Sequence, residues 1–223
     1  MPRIDAVLLD IDGTLVDSND AHAKAWVDTL AQFGHDVPFE RVRSLIGKGG
    51  DKLLIQAAGI DKESPEGQSI DKARGDRFRC RYMPHLKPLP KARELLARLR
   101  KDGFTLVVAT SAKKAEMDAL LDICGANDLV HAATSSDDAD RSKPDPDIIQ
   151  AALVKAKAPP TAAVMLGDTP YDIDAARRAG VDALAVRSGG WGTEELDGAI
   201  AIYDDVADLL ARYPDSPLGR RRT

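Results

Sequence analysis

Four short apolar runs constrain this chain more than any other feature: 6–9 (AVLL), 105–109 (TLVVA), 163–166 (AVML) and 183–186 (ALAV). Each is nearly continuous rather than alternating, as a strand covered on both faces must be. A weaker fifth candidate spans 129–132. Between the runs lie amphipathic stretches such as 91–101, where Ala92, Leu95, Leu96 and Leu99 share one face and Gly103 signals the stop. Strands alternating with helices predict an α/β fold with a parallel sheet and helices on both faces.

Residues 17–87 break that alternation and read as helices only. The spans are 21–33 stopped by Gly34, a short one after Pro38, 51–58, and a long one over 65–82. Trp26, Leu30 and Phe33 share a face of the first at i, i+4 and i+7. The sequence therefore predicts a core built from residues 1–16 and 88–213, a helical domain over 17–87, and a flexible tail over 214–223. The tail carries two prolines and a basic end.

Charge narrows the function classes. Asp and Glu number 36 against 31 Lys and Arg, a net charge of −5, and 29 of the acids are Asp against 7 Glu. A net acidic chain is a poor nucleic-acid binder, which needs a basic face. Cys80 and Cys124 are far apart with no CxxC or Cys/His cluster; both read as small buried or half-buried thiols of a reducing compartment. No apolar stretch approaches the roughly 20 residues of a membrane helix, and no secretory leader is evident, so a cytoplasmic protein without a membrane partner is expected. No heptad or apolar strip marks an oligomer interface, which leaves a monomer or a homodimer. Aspartate caps helices, makes turns and binds hard cations, so the informative question is which few of the 29 do chemistry.

The strand ends answer it. The first run finishes in Asp10-Ile11-Asp12-Gly13-Thr14, and ligands of open α/β sheets bind at the carboxyl ends of strands. Two carboxylates at about 4 Å repel by about 4 kcal/mol at an effective dielectric of 20, which a cation or a shared proton relieves. The second run finishes in Thr110-Ser111, hydroxyls where a helix should begin, a good anion seat. The third finishes in Gly167-Asp168-Thr169-Pro170-Tyr171-Asp172, with two further acids. Between them Ser142-Lys143-Pro144-Asp145-Pro146 holds Lys143 on a proline-restricted backbone. Hydroxyl, lysine and several carboxylates on one sheet edge suit a phosphate and Mg²⁺.

These motifs, DIDGT, the Thr110 end of LVVAT, SKPDP and GDTPYD, resemble in content and order the haloacid dehalogenase superfamily. The likeness is to its phosphoglycolate phosphatase and β-phosphoglucomutase-like members, and it spans nearly the whole chain. The resemblance implies a Rossmann-like core with an inserted α-helical cap. It implies a Mg²⁺-dependent phosphatase acting on a small phosphorylated metabolite through an aspartyl-phosphate on Asp10. Asp12 would be the acid and base; Thr110, Ser111 and Lys143 would hold the phosphoryl oxygens. Asp10, the Asp12 carbonyl and Asp168 would bind Mg²⁺, supported by Asp172. Asp12 sets the chain apart from dehalogenases, because transfer from an alkoxide needs that second acid.

Within the helical segment, Gly47-Lys48-Gly49-Gly50 resembles the cap loop of phosphoglycolate phosphatases, so Lys48 or the backbone N–H groups of this loop are expected to meet a substrate carboxylate. His22 and Trp26 resemble a pair in β-phosphoglucomutases and make His22 a candidate substrate or cap contact. By the same resemblance Gly50 stands where the mutases carry an arginine, which weakens the sugar phosphomutase alternative. A non-catalytic phospho-acceptor of the receiver kind also uses Asp, Lys and Mg²⁺ but needs about half this length. The basic run Lys72, Arg74, Arg77, Arg79, Arg81 reads as a solvated helix face, with Phe78 and Tyr82 inward. Ser188-Gly189-Gly190-Trp191-Gly192 reads as a surface loop. His35, His85 and His131 are dispersed and form no ligand set.

Overall fold

Every residue of Ala6–Leu9 is buried, and the side chains divide by period two between two apolar clusters. Val7 and Leu9 join one cluster with Leu95, Leu96, Leu99 and Leu120. Ala6 and Leu8 join the other with Ile148, Ile149, Ala175 and Ala176. A strand buried on both faces has no polar position to alternate, which is why its sequence is continuous. A computed structural model, which describes residues 3–220, places this strand, β1, third in an all-parallel sheet whose order is 132–134, 105–109, β1, 163–167, 182–186 and 201–203.

In chain order the helices are α1 (Asn19–Gln32), α2 (Phe39–Arg43), α3 (Gly50–Ala58), α4 (Pro65–Arg77), α5 (Ala92–Lys101), α6 (Lys114–Ile123), α7 (Asp147–Ala156), α8 (Pro170–Arg178) and α9 (Val206–Ala211). The remaining strands are β2 (Thr105–Ala109), β3 (Ala132–Thr134), β4 (Ala163–Gly167), β5 (Asp182–Val186) and β6 (Ala201–Tyr203). Helices α5, α6 and α9 cover one face, and α7 and α8 the other. Because β2 and β4 flank β1 in parallel register, the connections diverge to either side of it, and the crevice at that divergence opens at the carboxyl ends of β1 and β4. Asp10 N–H donates to the Leu166 carbonyl at 2.9 Å, which fixes the end of β1 beside the end of β4.

Between β1 and α5 the chain forms only helices, and these carry their own apolar cluster around Trp26, Leu30, Leu53, Leu54 and Ile70. The chain enters and leaves this insertion side by side. Val16 bridges Pro88, Asp17 N–H donates to the Lys87 carbonyl at 3.0 Å, and Leu89 N–H to the Leu15 carbonyl at 2.8 Å. No helix among the described residues is long and apolar enough to cross a membrane.

Several local expectations are corrected. The third strand of the chain is 132–134, not 129–132: Leu129 and Val130 pack on the core from a loop, and pairing with β2 begins only at Ala132. β6 was missed because three residues are too short for a periodic signal. The tail expected over 214–223 is packed in its described part, with Ser216 and Leu218 buried beside Tyr213; residues 221–223 lie outside the described residues. Cys80 is exposed, not half-buried. The long fourth helix changes to a π-helical turn at Phe78–Tyr82.

Candidate active site

Directly after β1 the chain turns back on itself: Leu15 and Val16 N–H both donate to the Ile11 carbonyl, and Gly13 N–H donates to the Val16 carbonyl. Gly13 sits at φ 74°, and a Cβ there would lie 2.2 Å from both Asn19 Nδ2 and Asp168 Oδ2. Only glycine lets the turn close against the acid at the end of β4. Asp168 is fully buried; Thr14 Oγ1 donates to it at 3.1 Å and Asn19 Nδ2 at 2.8 Å.

Lys143 comes from the loop before α7 and is 1% exposed. Its ammonium donates to Asp10 Oδ1 at 2.6 Å and to Asp172 Oδ1 at 2.7 Å. Asp172 is in turn fixed by a reciprocal cap at the start of α8: Thr169 N–H and Oγ1 donate to its Oδ2 at 3.0 and 2.7 Å, and Thr169 Oγ1 accepts from Asp172 N–H at 3.3 Å. The structure thus brings Asp10, Lys143, Asp168 and Asp172 to one point. Carboxylate oxygens of Asp10, Asp168 and Asp172 all lie within 4.8 Å of one another.

That crowding raises proton affinity. Burial pushes the Asp10 carboxyl well above the ordinary range, opposed by Lys143 and assisted by the charges of Asp172, Asp168 and Asp12. Burial, then the charge of Asp172, pushes Asp168 to about 8, against the hydrogen bonds from Asn19 and Thr14. Burial would lower Lys143, but Asp10 and Asp172 together hold it above its ordinary value. One lysine among three buried carboxylates leaves an excess of negative charge.

These residues fit a hard divalent cation. All three side-chain donors are oxygen atoms, and Asn19 Oδ1 is buried without a hydrogen-bond partner while its amide nitrogen serves Asp168. Gly13 and Gly189 clear the space: a Cβ at Gly189 would stand 2.0 Å from Asp168 Oδ2.

Asp12 turns away from this cluster. Its Oδ1 accepts from Ser18 Oγ at 2.5 Å and contacts His22 Nε2 at 2.8 Å. Burial alone would raise Asp12, but His22, by charge and hydrogen bond, and Ser18 outweigh it and hold the carboxyl below its ordinary range. His22 stacks on Phe78 with ring centroids 3.9 Å apart, so its place is set by the insertion. Thr110 is buried and caps the turn after β2, its Oγ1 accepting from Ala112 N–H at 3.1 Å. Ser111 Oγ reaches the Gly47 carbonyl at 3.5 Å.

The Lys48 ammonium is already engaged. Lys48 lines the cavity above Asp10, and its ammonium donates to Gln56 Oε1 at 2.6 Å and lies 4.5 Å from the Tyr171 ring centroid. The basic run is not wholly a solvated face. Arg74 is buried, paired with Glu116 at 3.1 Å, and lines the same cavity, while Tyr82 is only half-buried with its hydroxyl on Asp28. The 188–192 segment is more than a surface loop: Ser188 Oγ donates to the Gly13 carbonyl at 2.6 Å and Gly189 packs on Asp168. Ser18 and Asn19 were not singled out by sequence, and Thr14 and Ser188 only as members of a turn and a loop, because a lone hydroxyl or amide carries no spacing signal until the turn that aims it is known.

With this geometry in view, comparison with known proteins is specific. A family model described as haloacid dehalogenase-like hydrolase matches residues 7–186. The phosphoglycolate phosphatase of Rhodospirillum rubrum is 32% identical over 222 residues, covering 94% of this chain and 90% of that protein. A hydrolase from Pseudomonas syringae has a crystal structure with TM-score 0.86 at 28% identity, covering 94% of this chain and 98% of its own. The β-phosphoglucomutase of Clostridium difficile shares the fold, with TM-score 0.84 at 20% identity and coverage of 97% and 98%. This chain belongs to the haloacid dehalogenase-like hydrolase family. Within that family it falls in the phosphoglycolate phosphatase and β-phosphoglucomutase-like subfamily, and it is a phosphatase.

Proposed function

We propose that this enzyme is a Mg²⁺-dependent phosphatase that hydrolyses a small phosphate monoester through an aspartyl-phosphate on Asp10. The observation that carries the reading is the convergence of Asp10, Asp168, Asp172 and Lys143 at the carboxyl ends of β1 and β4. Asp10, Asp168 and the carbonyl of Asp12 would hold Mg²⁺, with Asp172 in support, and there it would supply positive charge to offset the repulsion between a carboxylate and a phosphate.

The residues of the chain do the rest. Lys143, the Thr110 hydroxyl and Ser111 hold the non-bridging phosphoryl oxygens in line with Asp10. A carboxylate oxygen of Asp10 forms the new bond to phosphorus as the ester bond to the leaving oxygen breaks. Asp12, ionised in the free site and driven to its protonated form by the approaching phosphate dianion, gives its proton to that oxygen, so the product leaves as an alcohol. Asp12 then takes a proton from water, which attacks the phosphorus and releases inorganic phosphate with Asp10 restored. His22, 2.8 Å from Asp12, is placed to exchange that proton. The insertion over residues 17–87 acts as the cap that excludes water, over a core of residues 1–16 and 88–213.

The name of the Rhodospirillum relative makes phosphoglycolate the first metabolite to assay. The decisive experiment uses p-nitrophenyl phosphate with Mg²⁺, with EDTA, and with Asp10→Asn. Turnover should need the metal and vanish in the variant while its circular dichroism and melting remain those of the parent. Substantial turnover by a folded Asp10→Asn protein would remove the covalent mechanism. Absence of any metal-dependent turnover by the parent would remove the phosphatase reading and favour a phospho-acceptor module.

A further inference from the structure

Lys143 reaches Asp10 and Asp172 from a turn, not from a strand or a helix. The turn closes through the Asp145 N–H, which donates to the Ser142 carbonyl at 3.1 Å, and Pro144 and Pro146 have no N–H to add to it. Phosphoryl transfer depends on placement, so a lysine on such a turn needs support from outside. The insertion supplies it. Lys52, in the first turn of α3, donates from its ammonium to the Ser142 carbonyl and to Asp145 Oδ2, the latter at 2.6 Å. One side chain thus ties residue 142 to residue 145, with Lys143 between them. Beside it, Asp51 Oδ1 accepts from Ser142 Oγ at 2.6 Å. The backbones come close here: a Cβ at Gly49 would lie 2.4 Å from that of Ser142. The Lys52 and Asp145 side chains are 22% and 20% exposed, so the clamp is largely shielded from water. From the core, Arg178 reaches Asp145 Oδ1 at a longer 3.4 Å. Lys52 and Asp51 stand outside the residues that line the cavity above Asp10.

We propose that Lys52 is a positioning residue for Lys143: it clamps the 142–145 turn from the insertion, with Asp51 holding Ser142, so the phosphate site is complete only when the insertion is seated on the core. The inference rests on the phosphatase reading and deepens it. Excluding water is then one use of the insertion and fixing a phosphate ligand is a second, because the turn that carries Lys143 is held by both parts of the chain. A partly exposed ion pair adds little to stability. Loss of the clamp therefore shows in turnover and phosphate affinity rather than in melting.

The test compares Lys52→Met with the parent on p-nitrophenyl phosphate, ethyl phosphate and phosphoglycolate, and by calorimetric binding of inorganic phosphate in the presence of Mg²⁺. Lys143 meets the phosphoryl group that all of these share. Lys52→Met should lose about ten- to a hundredfold in kcat/KM, in nearly equal measure on every ester, and bind inorganic phosphate about tenfold more weakly. It should melt within about 2 °C of the parent. Lys52→Arg, whose fork can reach both acceptors, should recover to within about threefold of the parent. In a Lys143→Met background, adding Lys52→Met should weaken phosphate binding by less than about twofold, because a residue that acts through another has nothing left to place. Binding is read without turnover, so an inactive Lys143→Met protein still reports. If that variant does not melt cooperatively, the equal losses across the esters and the arginine rescue decide. Parental kinetics in Lys52→Met would overturn the proposal, as would losses that differ widely between esters, losses that multiply with Lys143→Met, or a Lys52→Arg protein as impaired as Lys52→Met. A parent that neither hydrolyses p-nitrophenyl phosphate nor binds inorganic phosphate would instead strike the phosphatase reading.

Discussion

Cys124 and Cys80 carry the same thiol in opposite surroundings. Cys124 is 4% exposed, and burial pushes its thiol from 9.0 to about 11; Cys80 is open to solvent. Only the thiolate is nucleophilic, so one thiol should react with an aromatic disulfide in the native protein and the second only after denaturation. Two rapid equivalents would contradict the burial. The same shift makes an alkaline prediction. A folded-state value above the unfolded one gives stability that is complete below pH 9 and is lost as pH rises through about 11. Cys124→Ala should lack that part of the alkaline loss, measured as the difference in urea midpoint between the two proteins from pH 8 to 11. At this scale the sequence was informative where a charged side chain is tied to a strand end or a proline. Asp10, Lys143, Asp168 and Asp172 are such residues, and the structure brings them together. It was uninformative for Lys48 and Arg74, because a long flexible side chain can reach solvent, a carboxylate or a cavity from the same backbone position.

At the level of elements, α8 links stability to the site. Its first turn is the Thr169–Asp172 cap, and Asp172 also takes the hydrogen bond from Lys143. Thr169→Ala should cost about 1 kcal/mol, lowering the melting temperature by about 2–4 °C, whereas Thr169→Ser keeps the hydroxyl and should melt near the parent. A Thr169→Ser protein as unstable as Thr169→Ala would show that the methyl group, not the cap, matters. The long strands and helices were legible because burial on both faces, or on one stripe, leaves a pattern several residues long. The limits of β3 and β6 were not, since each has three residues and owes its existence to a neighbouring strand's free edge. Likewise α4 gives way to a π-turn where Phe78 must stack on His22, a tertiary demand with no local sequence mark.

For the molecule as a whole, the division into an α/β layer and a helical insertion was readable, because the alternation of strand and helix stops at one place and resumes at another. How the two surfaces meet was not. The contacts between them are scattered polar pairs: Lys52 with Asp145 at 2.6 Å, Lys113 with Asp71 at 2.6 Å, Arg74 with Glu116, and Arg43 with the Gly189 carbonyl at 2.6 Å. Among the described residues the fully buried members of the three apolar clusters come from the insertion or from the sheet layers, not from both, and Leu86 at the return crossing packs on the sheet-layer cluster. The crossing at Val16 and Pro88 then has a consequence for how such a chain is assembled. The sheet sees the same two neighbouring ends whatever hangs beyond them, so the insertion is an exchangeable part. Replacing residues 19–84 by a short Gly-Ser link of about six residues should leave a protein that melts cooperatively with the circular dichroism of an α/β sheet. An unfolded or aggregated product would show that the sheet depends on its guest. A chain wired this way can trade one substrate chamber for another without renegotiating its foundation.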